Sequence, residues 1–310
     1  MKFNCDRSLL LNAVTIASRT VAQKSTIPAL EGILFEAAGS ELTLTGYNLK
    51  TGIRTRADAD ILREGRLVLN ARLFGEIIRK MPEGTVCFDC GGDLLVKLTC
   101  GMSYFEIMGI AADEFPELPS VEAQNSFRLQ EKKLQSMIGE TLFAVSTNES
   151  RPVHTGSLFE IADGELTVTS VDGYRLAQRR EKLDEPTEAV TSFVVPGAAL
   201  SEAEKVAADS EDLATISLGS RHIMFSVGDT EIISRRLEGE FLDYRKSVPK
   251  ESRLWVWLLK KLKATARRLS QKDACRPAVK RAVDSHCNRV LPMLAIERPT
   301  MLFNIRPAVK

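Results

Sequence analysis

The chain has 310 residues, of which 44% are hydrophobic and 27% charged, and its formal net charge is +1. These values are those of an ordinary globular protein with room for two hydrophobic cores, and they exclude a fibrous or disordered chain. Residues 1–20 lack the apolar core of a signal peptide, and the sequence has no run of 18 apolar residues that would span a bilayer. We therefore expect a cytoplasmic protein with no membrane partner.

The small net charge hides an uneven distribution along the chain. Residues 1–250 carry a net charge of −9, whereas residues 251–310 carry a net charge of +10. The composition therefore changes near residue 251, and the two parts need separate explanations.

An internal repeat organises the first 250 residues. When residues 33–45 are aligned with residues 157–169, at an offset of 124, eight of the thirteen positions are identical. After a two-residue insertion the offset becomes 126, and Phe115 falls on Phe241. A repeat of this length is a domain, because the units of solenoid proteins are only about 20 to 50 residues long. The sequence therefore predicts two copies of one domain, followed by a segment of another kind. The boundaries are 1–120, 121–250 and 251–310.

Each copy is predicted to have two helices on a predominantly antiparallel β scaffold, which is an α+β fold. Asp6 and Asn70 are suitable N-caps for the two helices of the first copy. Hairpins turn at Gly39-Ser40 and Asp163-Gly164, since glycine supplies the positive φ of a tight turn. The apolar stripes of the first two helices comprise Leu9, Leu10, Ala13, Val14 and Ala17, and then Leu73, Phe74, Ile77 and Ile78. Alternating segments predict strands at 85–90, 94–99, 103–108, 213–218, 222–227 and 230–236.

The cysteines and histidines offer no catalytic or metal site. Cys87 and Cys90, with Cys100 nearby, are thiols of the kind that bind zinc, but residues three apart in a strand point to opposite faces and a fourth ligand is lacking. The three histidines have no carboxylate or cysteine partner at a recognised catalytic spacing, and the sequence has no phosphate-binding loop or nucleophile motif. We predict free thiols, no metal, no cofactor and no enzymatic activity.

The stretch 165–177 begins as an alternating strand and then breaks its pattern. Asp172-Gly173 is a turn signal. The next three residues, Tyr174, Arg175 and Leu176, supply an aromatic ring, a cation and an aliphatic group. Such a cluster at the end of a strand indicates a docking surface, or else a segment that only turns a corner of the sheet.

Basic residues recur on helices and loops of both copies and form a candidate nucleic-acid surface. The alternative is an ordinary solvated face, and the acidic balance of residues 1–250 argues against tight DNA binding through many phosphate contacts. The set comprises Arg7, Lys24, Arg72, Arg79, Lys80, Lys132, Lys133, Arg151 and Lys205.

Several motifs, taken in order, give residues 1–250 a resemblance to a known family. They are the initial MKF, the paired hairpins, the linker DEFPELP, the segment TSVDGYRLA and the run GEFLDYRKSVP from Gly239 to Pro249. In this order they resemble the bacterial β sliding clamp, the processivity subunit of DNA polymerase III.

The resemblance implies three such domains per chain and two chains closed head to tail into a homodimeric ring around duplex DNA. Helices would line the pore and strands would face outward. A ring holds DNA by topology and needs few phosphate contacts, so an acidic outer body is compatible with this function. The implied partners are duplex DNA, the polymerase III catalytic subunit, the clamp loader and repair proteins, and the proteins among them bind through short peptides.

The resemblance also assigns roles to positions of this chain. Lys24 and the loop Asn148, Glu149, Ser150 and Arg151 match loops that touch DNA. Phe105 and Ile107 lie on the strand that would meet the neighbouring subunit. The partner-peptide pocket would contain Val171, Gly173, Tyr174, Arg175, Leu176, Leu242 and Ser247. Leu242 stands where proline is usual and Ser247 where an aliphatic residue is usual, so the family pattern does not fix the shape of this pocket.

Residues 251–310 depart from the family pattern. They have about half the length of a third copy and show neither its hairpin nor its alternating strands. Residues 258–269 predict an amphipathic helix with a basic face, which is typical of a helix that binds a membrane or nucleic acid. We prefer the hypothesis that a reading-frame slip or a truncation left a remnant of a third domain. The function predicted from the resemblance is that of a DNA sliding clamp, which encircles duplex DNA and tethers the replicative polymerase. The alternative, which applies if the remnant cannot close the ring, is a non-encircling peptide-binding adaptor or a defective truncated clamp.

Overall fold

The computed structural model describes residues 1–185, 190–246 and 300–304. The chain separates into two compact units. The first unit combines Met1–Lys132 with Glu202–Arg236, and the second combines Lys133–Ser201 with the described residues from Leu237 onward. These limits differ from those of the sequence repeat because four strands of the second copy complete a sheet of the first unit.

The first copy of the repeat consists of nine strands and two α-helices. Its elements are β1 (Lys2–Asp6), α1 (Arg7–Ala17), β2 (Gly32–Ala38), β3 (Glu41–Tyr47), β4 (Thr51–Asp58), β5 (Asp60–Arg63), β6 (Gly65–Asn70), α2 (Ala71–Lys80), β7 (Thr85–Cys90), β8 (Leu95–Cys100) and β9 (Ser103–Met108).

The rest of the described chain repeats this order with small differences. Its elements are β10 (Asn125–Gln130), α3 (Glu131–Gly139), β11 (Gly156–Ala162), β12 (Glu165–Val171), β13 (Arg175–Lys182), β14 (Thr191–Pro196), α4 (Gly197–Val206), β15 (Leu213–Leu218), β16 (His222–Val227), β17 (Thr230–Arg235) and β18 (Thr300–Asn304). None of the helices in the described ranges has the length and apolar character needed to cross a membrane.

The strands form three antiparallel sheets. The first unit has a five-stranded sheet, β5-β1-β7-β8-β9, and an eight-stranded sheet, β10-β15-β16-β17-β4-β3-β2-β6. The second unit has a five-stranded sheet, β14-β11-β12-β13-β18. The predicted α+β fold with a predominantly antiparallel scaffold is confirmed for the described residues.

The first two helices begin where their capping residues predict. The Asp6 side chain accepts a hydrogen bond from the Ser8 amide (2.8 Å), and the Asn70 side chain accepts one from the Leu73 amide (3.0 Å). The predicted apolar stripes are too wide, however, because Leu9 is 48% exposed and Leu73 49% exposed. Each of these two leucines precedes a buried residue by one position, which is about 100° around a helix, and so faces outward.

Four fully buried phenylalanines form the centre of the first unit's core. The rings of Phe3 and Phe88 stack with centroids 4.5 Å apart, and Phe35 meets Phe74 edge to face at 5.0 Å. These rings come from β1, β7, β2 and α2, so one core joins a helix to strands of both sheets. Aromatic pairs of this geometry stabilise a core beyond the effect of their buried area.

The pairing of β4 with β17 joins the two copies of the repeat within one sheet. Thr55 lies opposite Thr230, and their hydroxyl oxygens are 2.9 Å apart. Thr51 lies opposite Ser234, with 3.4 Å between the hydroxyl oxygens. All four residues are buried. The junction between β4 and β17 therefore combines a backbone ladder with buried hydroxyl pairs.

One strand of the C-terminal segment belongs to the second unit. The backbone of β18 pairs antiparallel with β13, from Arg175 opposite Asn304 to Arg179 opposite Thr300. The sequence pattern did not predict this strand. The predicted basic helix at 258–269 and the rest of 251–310 lie outside the described residues.

We expect the Thr55–Thr230 contact to be energetically coupled. Either Thr55→Val or Thr230→Val leaves one buried hydroxyl without its partner, and should lower the free energy of unfolding by about 1–2 kcal/mol. The double substitution should cost less than the sum, because it removes both polar groups. Urea unfolding of the four proteins measures this coupling. Thr85→Val, at an exposed position of β7, is the control and should change stability by less than about 0.5 kcal/mol. Strictly additive costs would contradict the coupling.

Candidate functional site

The connection between β12 and β13 is a tight turn held by one side chain. Asp172 Oδ1 accepts hydrogen bonds from the amides of Tyr174 (2.9 Å) and Arg175 (3.0 Å), and Oδ2 accepts one from Arg175 Nε (2.7 Å). Gly173 has a φ of 91°, a conformation that glycine adopts without strain. The turn is therefore ordered by its own bonds, and it leaves Tyr174 68% exposed.

The Asp172 carboxylate is stabilised in its charged form. Burial raises its pKa, but the amides of Tyr174 and Arg175 and the Arg175 guanidinium outweigh burial and hold the pKa below the usual value of 3.8. Because the pKa is lowered in the folded state, this stabilisation is present at neutral pH. It is lost as the pH falls below 3.8 towards the folded value.

Beneath the turn lies a small apolar cluster. Val171 and Leu176, both fully buried, face each other across β12 and β13. Tyr244, which is 5% exposed, packs on them, and the partly buried Leu158 and Phe241 complete the cluster. We call these five residues the floor of the candidate site.

Residues 239–246, which we call the strap, are fixed to the sheet of the second unit. Tyr244 Oη donates a hydrogen bond to Glu160 Oε2 (2.5 Å), and Arg245 Nη2 donates one to Glu160 Oε1 (2.7 Å). The ring of Phe241 meets the His154 ring edge to face at 5.4 Å. A single carboxylate on β11 thus holds two consecutive residues of the strap.

The Tyr244 phenol is kept protonated by this environment. Burial raises its pKa, and the hydrogen bond to the Glu160 carboxylate raises it further. A phenolate at this position would be poorly solvated and would face a negative charge. Tyr244 is therefore protonated at neutral pH, and it can donate the hydrogen bond to Glu160.

The predicted pocket residues fall into three groups. Val171 and Leu176 belong to the buried floor, whereas Gly173, Tyr174 and Arg175 form an exposed rim. Leu242 lies on the strap and is 40% exposed. Ser247 lies outside the described residues. The structure thus brings together six of the seven predicted positions.

Three residues hold the site in shape. Sequence reasoning missed Glu160 and Tyr244 and identified Asp172 only as part of a turn. Glu160 was hidden because it is identical in the two copies and looks like shared scaffold. In the first copy the matching Glu36 binds Arg66 across the strand pair, with 3.2 Å between Oε1 and Nε. In the second copy Glu160 lies opposite Ser192, so its carboxylate is available to the strap.

A groove of about 960 Å³ between α1 and α2 gathers several of the predicted basic residues. Lys24, Arg72 and Arg79 line it, together with Glu31 and Glu76. Arg72 pairs with Glu76 (3.4 Å), whereas Lys24 and Arg79 make no ion pair in the described part of the chain. The same holds for Lys80, at the end of α2. The groove is therefore weakly basic.

Lys132 and Lys133 are less available than the sequence suggests. The ammonium of Lys132 is 2.6 Å from Glu211, and that of Lys133 is 2.5 Å from Asp184. Their charges are already compensated by nearby carboxylates. The sequence could not show this, because both partners come from distant segments.

The predicted DNA-contacting loop 148–151 is exposed and is ordered by Asn148. Its side-chain oxygen accepts hydrogen bonds from the Ser150 amide (3.0 Å) and hydroxyl (2.7 Å). Glu149 and Arg151 are exposed as well. The loop therefore presents one cation and one anion on a turn stabilised by its own side chain.

Comparison with protein-family models accounts for most of the chain. Residues 1–119 match the N-terminal domain of the DNA polymerase III beta subunit, and residues 128–243 match its central domain. The chain belongs to the DNA polymerase III beta subunit family.

Relatives of this family are named as sliding clamps. The Beta sliding clamp of Halalkalibacterium halodurans is 36% identical over 264 residues, which cover 82% of this chain and 69% of the relative. The Beta sliding clamp of Bacillus subtilis is 32% identical over 261 residues, which cover 82% of this chain and 69% of the relative. The crystal structure of the Bacillus subtilis DNA polymerase sliding clamp superposes with a TM-score of 0.78 at 29% identity, covering 84% of this chain and 73% of that chain. The clamp fold and the sliding-clamp function predicted from sequence are thereby confirmed.

The strand predicted to meet a neighbouring clamp subunit lies at a sheet edge. In the first unit, β9 is the last strand of its five-stranded sheet, and it exposes Tyr104 (55%), Phe105 (36%) and Met108 (68%). Ile107, by contrast, is only 8% exposed and belongs to the chain's own core. Of the two residues predicted for the subunit contact, Phe105 alone offers its side chain.

The cysteines in the described part of the chain do not gather into a metal-binding set. Cys5, Cys87, Cys90 and Cys100 are free thiols, and burial raises the pKa of Cys5 to about 11. The described residues contain no group of three or more His, Cys, Asp and Glu side chains placed to hold a metal ion. Cys275, Cys287 and His286 lie outside the described residues.

Glu160 should raise the pKa of Tyr244 specifically. A raised pKa in the folded state means that the strap contact is fully stabilising below the usual value of 10.0 and is lost as the pH rises through the folded value. Glu160→Gln removes the negative charge, so the Tyr244 pKa should fall towards 10.0. NMR titration of tyrosine labelled at Cζ measures it.

Glu36→Gln, the matching change in the first copy, is the control and should leave the Tyr244 titration unchanged. An equal shift in both variants, or a Tyr244 pKa that is not raised in the unmodified chain, would refute the role assigned to Glu160.

Proposed function

We propose that the chain acts as a DNA sliding clamp, which encircles duplex DNA, tethers the replicative polymerase and catalyses no reaction itself. The observation that carries this proposal is the duplicated clamp domain, whose copies share one sheet through β4 and β17. The family matches in both copies support it. The limits of these matches, 1–119 and 128–243, agree with domains at 1–120 and 121–250. We propose that residues 251–310 are the remnant of a third domain.

We assign the DNA contact to exposed cations of the helices and loops. Lys24, Arg79 and Lys80 have no ion-pair partner in the described ranges, and Arg151 is exposed on its loop. A clamp that surrounds DNA needs only loose phosphate contacts, because dissociation requires the ring to open. Few uncompensated cations therefore suit sliding, whereas many would slow it.

We assign the partner contact to the floor, rim and strap of the second unit. The partly buried Leu158 and Phe241 offer apolar surface at the edge of the floor. Tyr174 and Arg175 stand at its rim with a fixed backbone. The strap adds Leu242, which is 40% exposed. This arrangement suits a short peptide with one apolar side chain, bound by a polymerase, clamp loader or repair protein. Pre-organisation by Asp172 and Glu160 lowers the ordering cost of binding.

We assign the subunit contact to the outer edge of β9. An edge strand presents unpaired backbone groups, and β9 adds exposed aromatic and methionine side chains. Such a surface is suited to pairing with a strand of a second chain, which would make the head-to-tail homodimer that a closed ring requires.

Encirclement should make retention on DNA depend on DNA topology. Once a clamp loader has placed the chain on nicked circular DNA, a ring should stay on the circle and be lost when the DNA is linearised. Gel filtration of the protein–DNA complex measures both states. An open adaptor would show no difference between the circular and linear forms, and that result would reject the proposal.

The exposed cations should contribute to DNA contact, and the paired ones should not. In direct binding to linear duplex DNA, Lys24→Ala/Arg79→Ala/Lys80→Ala should weaken affinity and reduce the salt dependence by up to about one unit of slope per lost phosphate contact. Lys132→Ala/Lys133→Ala is the matched control and should have a smaller effect, because those charges are already compensated. Equal losses of DNA affinity per removed cation would show that ion pairing does not determine which cations contact DNA.

Two exposed tyrosines should separate partner binding from subunit association. Tyr174→Ala should weaken the binding of a clamp-binding peptide of the polymerase about tenfold, since an aromatic rim residue is removed. Tyr104→Ala should leave that affinity unchanged and weaken the dimer instead. Fluorescence anisotropy and sedimentation equilibrium measure the two effects, and each variant is the control for the other. If Tyr174→Ala weakened the dimer and Tyr104→Ala weakened peptide binding, the two surfaces would have been assigned the wrong way round.

A further inference from the structure

The turn between β3 and β4 has the same construction as the turn between β12 and β13. The side-chain oxygen of Asn48 accepts hydrogen bonds from the amides of Lys50 (3.1 Å) and Thr51 (2.8 Å). At the offset of 124, Asn48 matches Asp172, which accepts the corresponding two bonds in the second copy. The repeat therefore has two equivalent turns, one in each unit.

Leu49 occupies a strained position in the turn of the first copy. Its φ is 68°, whereas the matching residue of the second copy is Gly173, with a φ of 91°. A residue that carries a Cβ is strained in this left-handed region, and glycine is not. The side chain of Leu49 is 55% exposed, so its own burial does not offset the strain. An exposed apolar side chain held in a strained conformation points to a contact with a partner.

The backbone of this turn is fixed by bonds from two other segments. The buried Tyr47 donates a hydrogen bond from its hydroxyl to the carbonyl of Leu49 (3.4 Å), and the amide of Arg235 donates one to the carbonyl of Lys50 (3.3 Å). The position of the Leu49 side chain is therefore set before any partner arrives. Such pre-organisation lowers the ordering cost of binding.

Basic residues collect at the same end of the eight-stranded sheet. The Arg235 amide bonds to the Lys50 carbonyl, and the Arg236 amide bonds to the Arg221 carbonyl (3.0 Å). These bonds place the turn 48–51, the end of β17 and the turn before β16 side by side. Within the described ranges, Lys50, Arg221 and Arg236 make no ion pair. We name this group the basic corner: Leu49, Lys50, Arg221 and Arg236.

The pKa of His222 reports the positive potential of the basic corner. His222 lies opposite Arg235 on the neighbouring strand. Burial lowers its pKa, and the positive charges of Arg235 and Arg221 lower it further. Residues 1–250 as a whole carry a net charge of −9, so a group of uncompensated cations is an exception on this body. The local charge favours an anionic partner.

We propose that the basic corner binds an acidic peptide segment of another protein, which packs one apolar side chain against Leu49. A peptide supplies carboxylates for the cations and an apolar group for the leucine, whereas a phosphate backbone supplies only charge. All members of the site lie in the first unit, and none of them belongs to the partner contact assigned to the second unit. The proposal goes beyond the sliding-clamp function and does not depend on it.

NMR of the full chain locates the contact. The probe is a short peptide of aspartate and glutamate residues with one central leucine, and the comparison peptide has serine in place of that leucine. We expect the leucine peptide to shift the methyl resonances of Leu49 and the amide resonances of residues 48–51. The serine peptide should bind at least about tenfold more weakly, because it lacks the apolar contact. Equal affinities, or no shift with either peptide, would overturn the proposal.

Substitution of Leu49 separates binding from folding. Leu49→Asn removes the apolar group and keeps a residue type that tolerates the left-handed region. It should weaken the leucine peptide about tenfold, measured by fluorescence anisotropy, without lowering the midpoint of urea unfolding. The control is Leu213→Asn, at a leucine that is 47% exposed and follows Glu211 and Asp212, and it should leave the affinity unchanged. A lowered midpoint with unchanged affinity would show that Leu49 serves the turn alone.

Removal of cations tests the charge of the partner. Lys50→Ala/Arg221→Ala should weaken the leucine peptide about tenfold and reduce the dependence of its affinity on salt. Arg56→Ala/Arg66→Ala removes the same charge from arginines that are paired with Glu231 and Glu36, and it should have a smaller effect. Equal losses in the two variants would overturn the role of the basic corner. Duplex DNA that shifts the amides of residues 48–51 at a lower concentration than the leucine peptide would assign the corner to nucleic acid and reject a peptide partner.

Discussion

Backbone pairing between β4 and β17 is the interaction on which the architecture depends. A sheet edge must be paired, covered or protected, because its free amide and carbonyl groups otherwise bind other chains. The first copy of the repeat leaves β4 open, and a strand from the end of the second copy closes it, with two buried hydroxyl pairs across the junction. For this reason the compact units do not follow the limits of the repeat. The same requirement applies to β13 and gives the C-terminal strand its place.

Much of the fold follows from local signals in the sequence. Alternating apolar residues gave six strand positions close to those observed, and Asp6 and Asn70 cap the helices as expected. The internal repeat predicted that the second copy would have the elements of the first. These features depend on neighbouring residues, and a pattern along the chain is sufficient to read them.

The remainder depends on contacts between distant segments. Leu9 and Leu73 are apolar but exposed, because the position of the helix decides which residues of a wide stripe are buried. Lys132 and Lys133 find carboxylates that are far away in sequence. Glu160 and Tyr244 are 84 residues apart, and no local pattern connects them. The sequence could therefore indicate the residues of the candidate pocket. It could not indicate Glu160 and Tyr244, which fix the strap.

Glu36 and Glu160 show how a duplicated domain acquires a new surface. Both copies inherited the same carboxylate, but Arg66 neutralises it in one and Ser192 stands opposite it in the other. In the second copy the carboxylate has no cation opposite it on the neighbouring strand and binds the strap instead. The same residue on the scaffold thus serves two different contacts, according to what stands across the strand pair. For descendants of such a duplication, identity between copies marks common ancestry, and the residue across the strand pair determines the role.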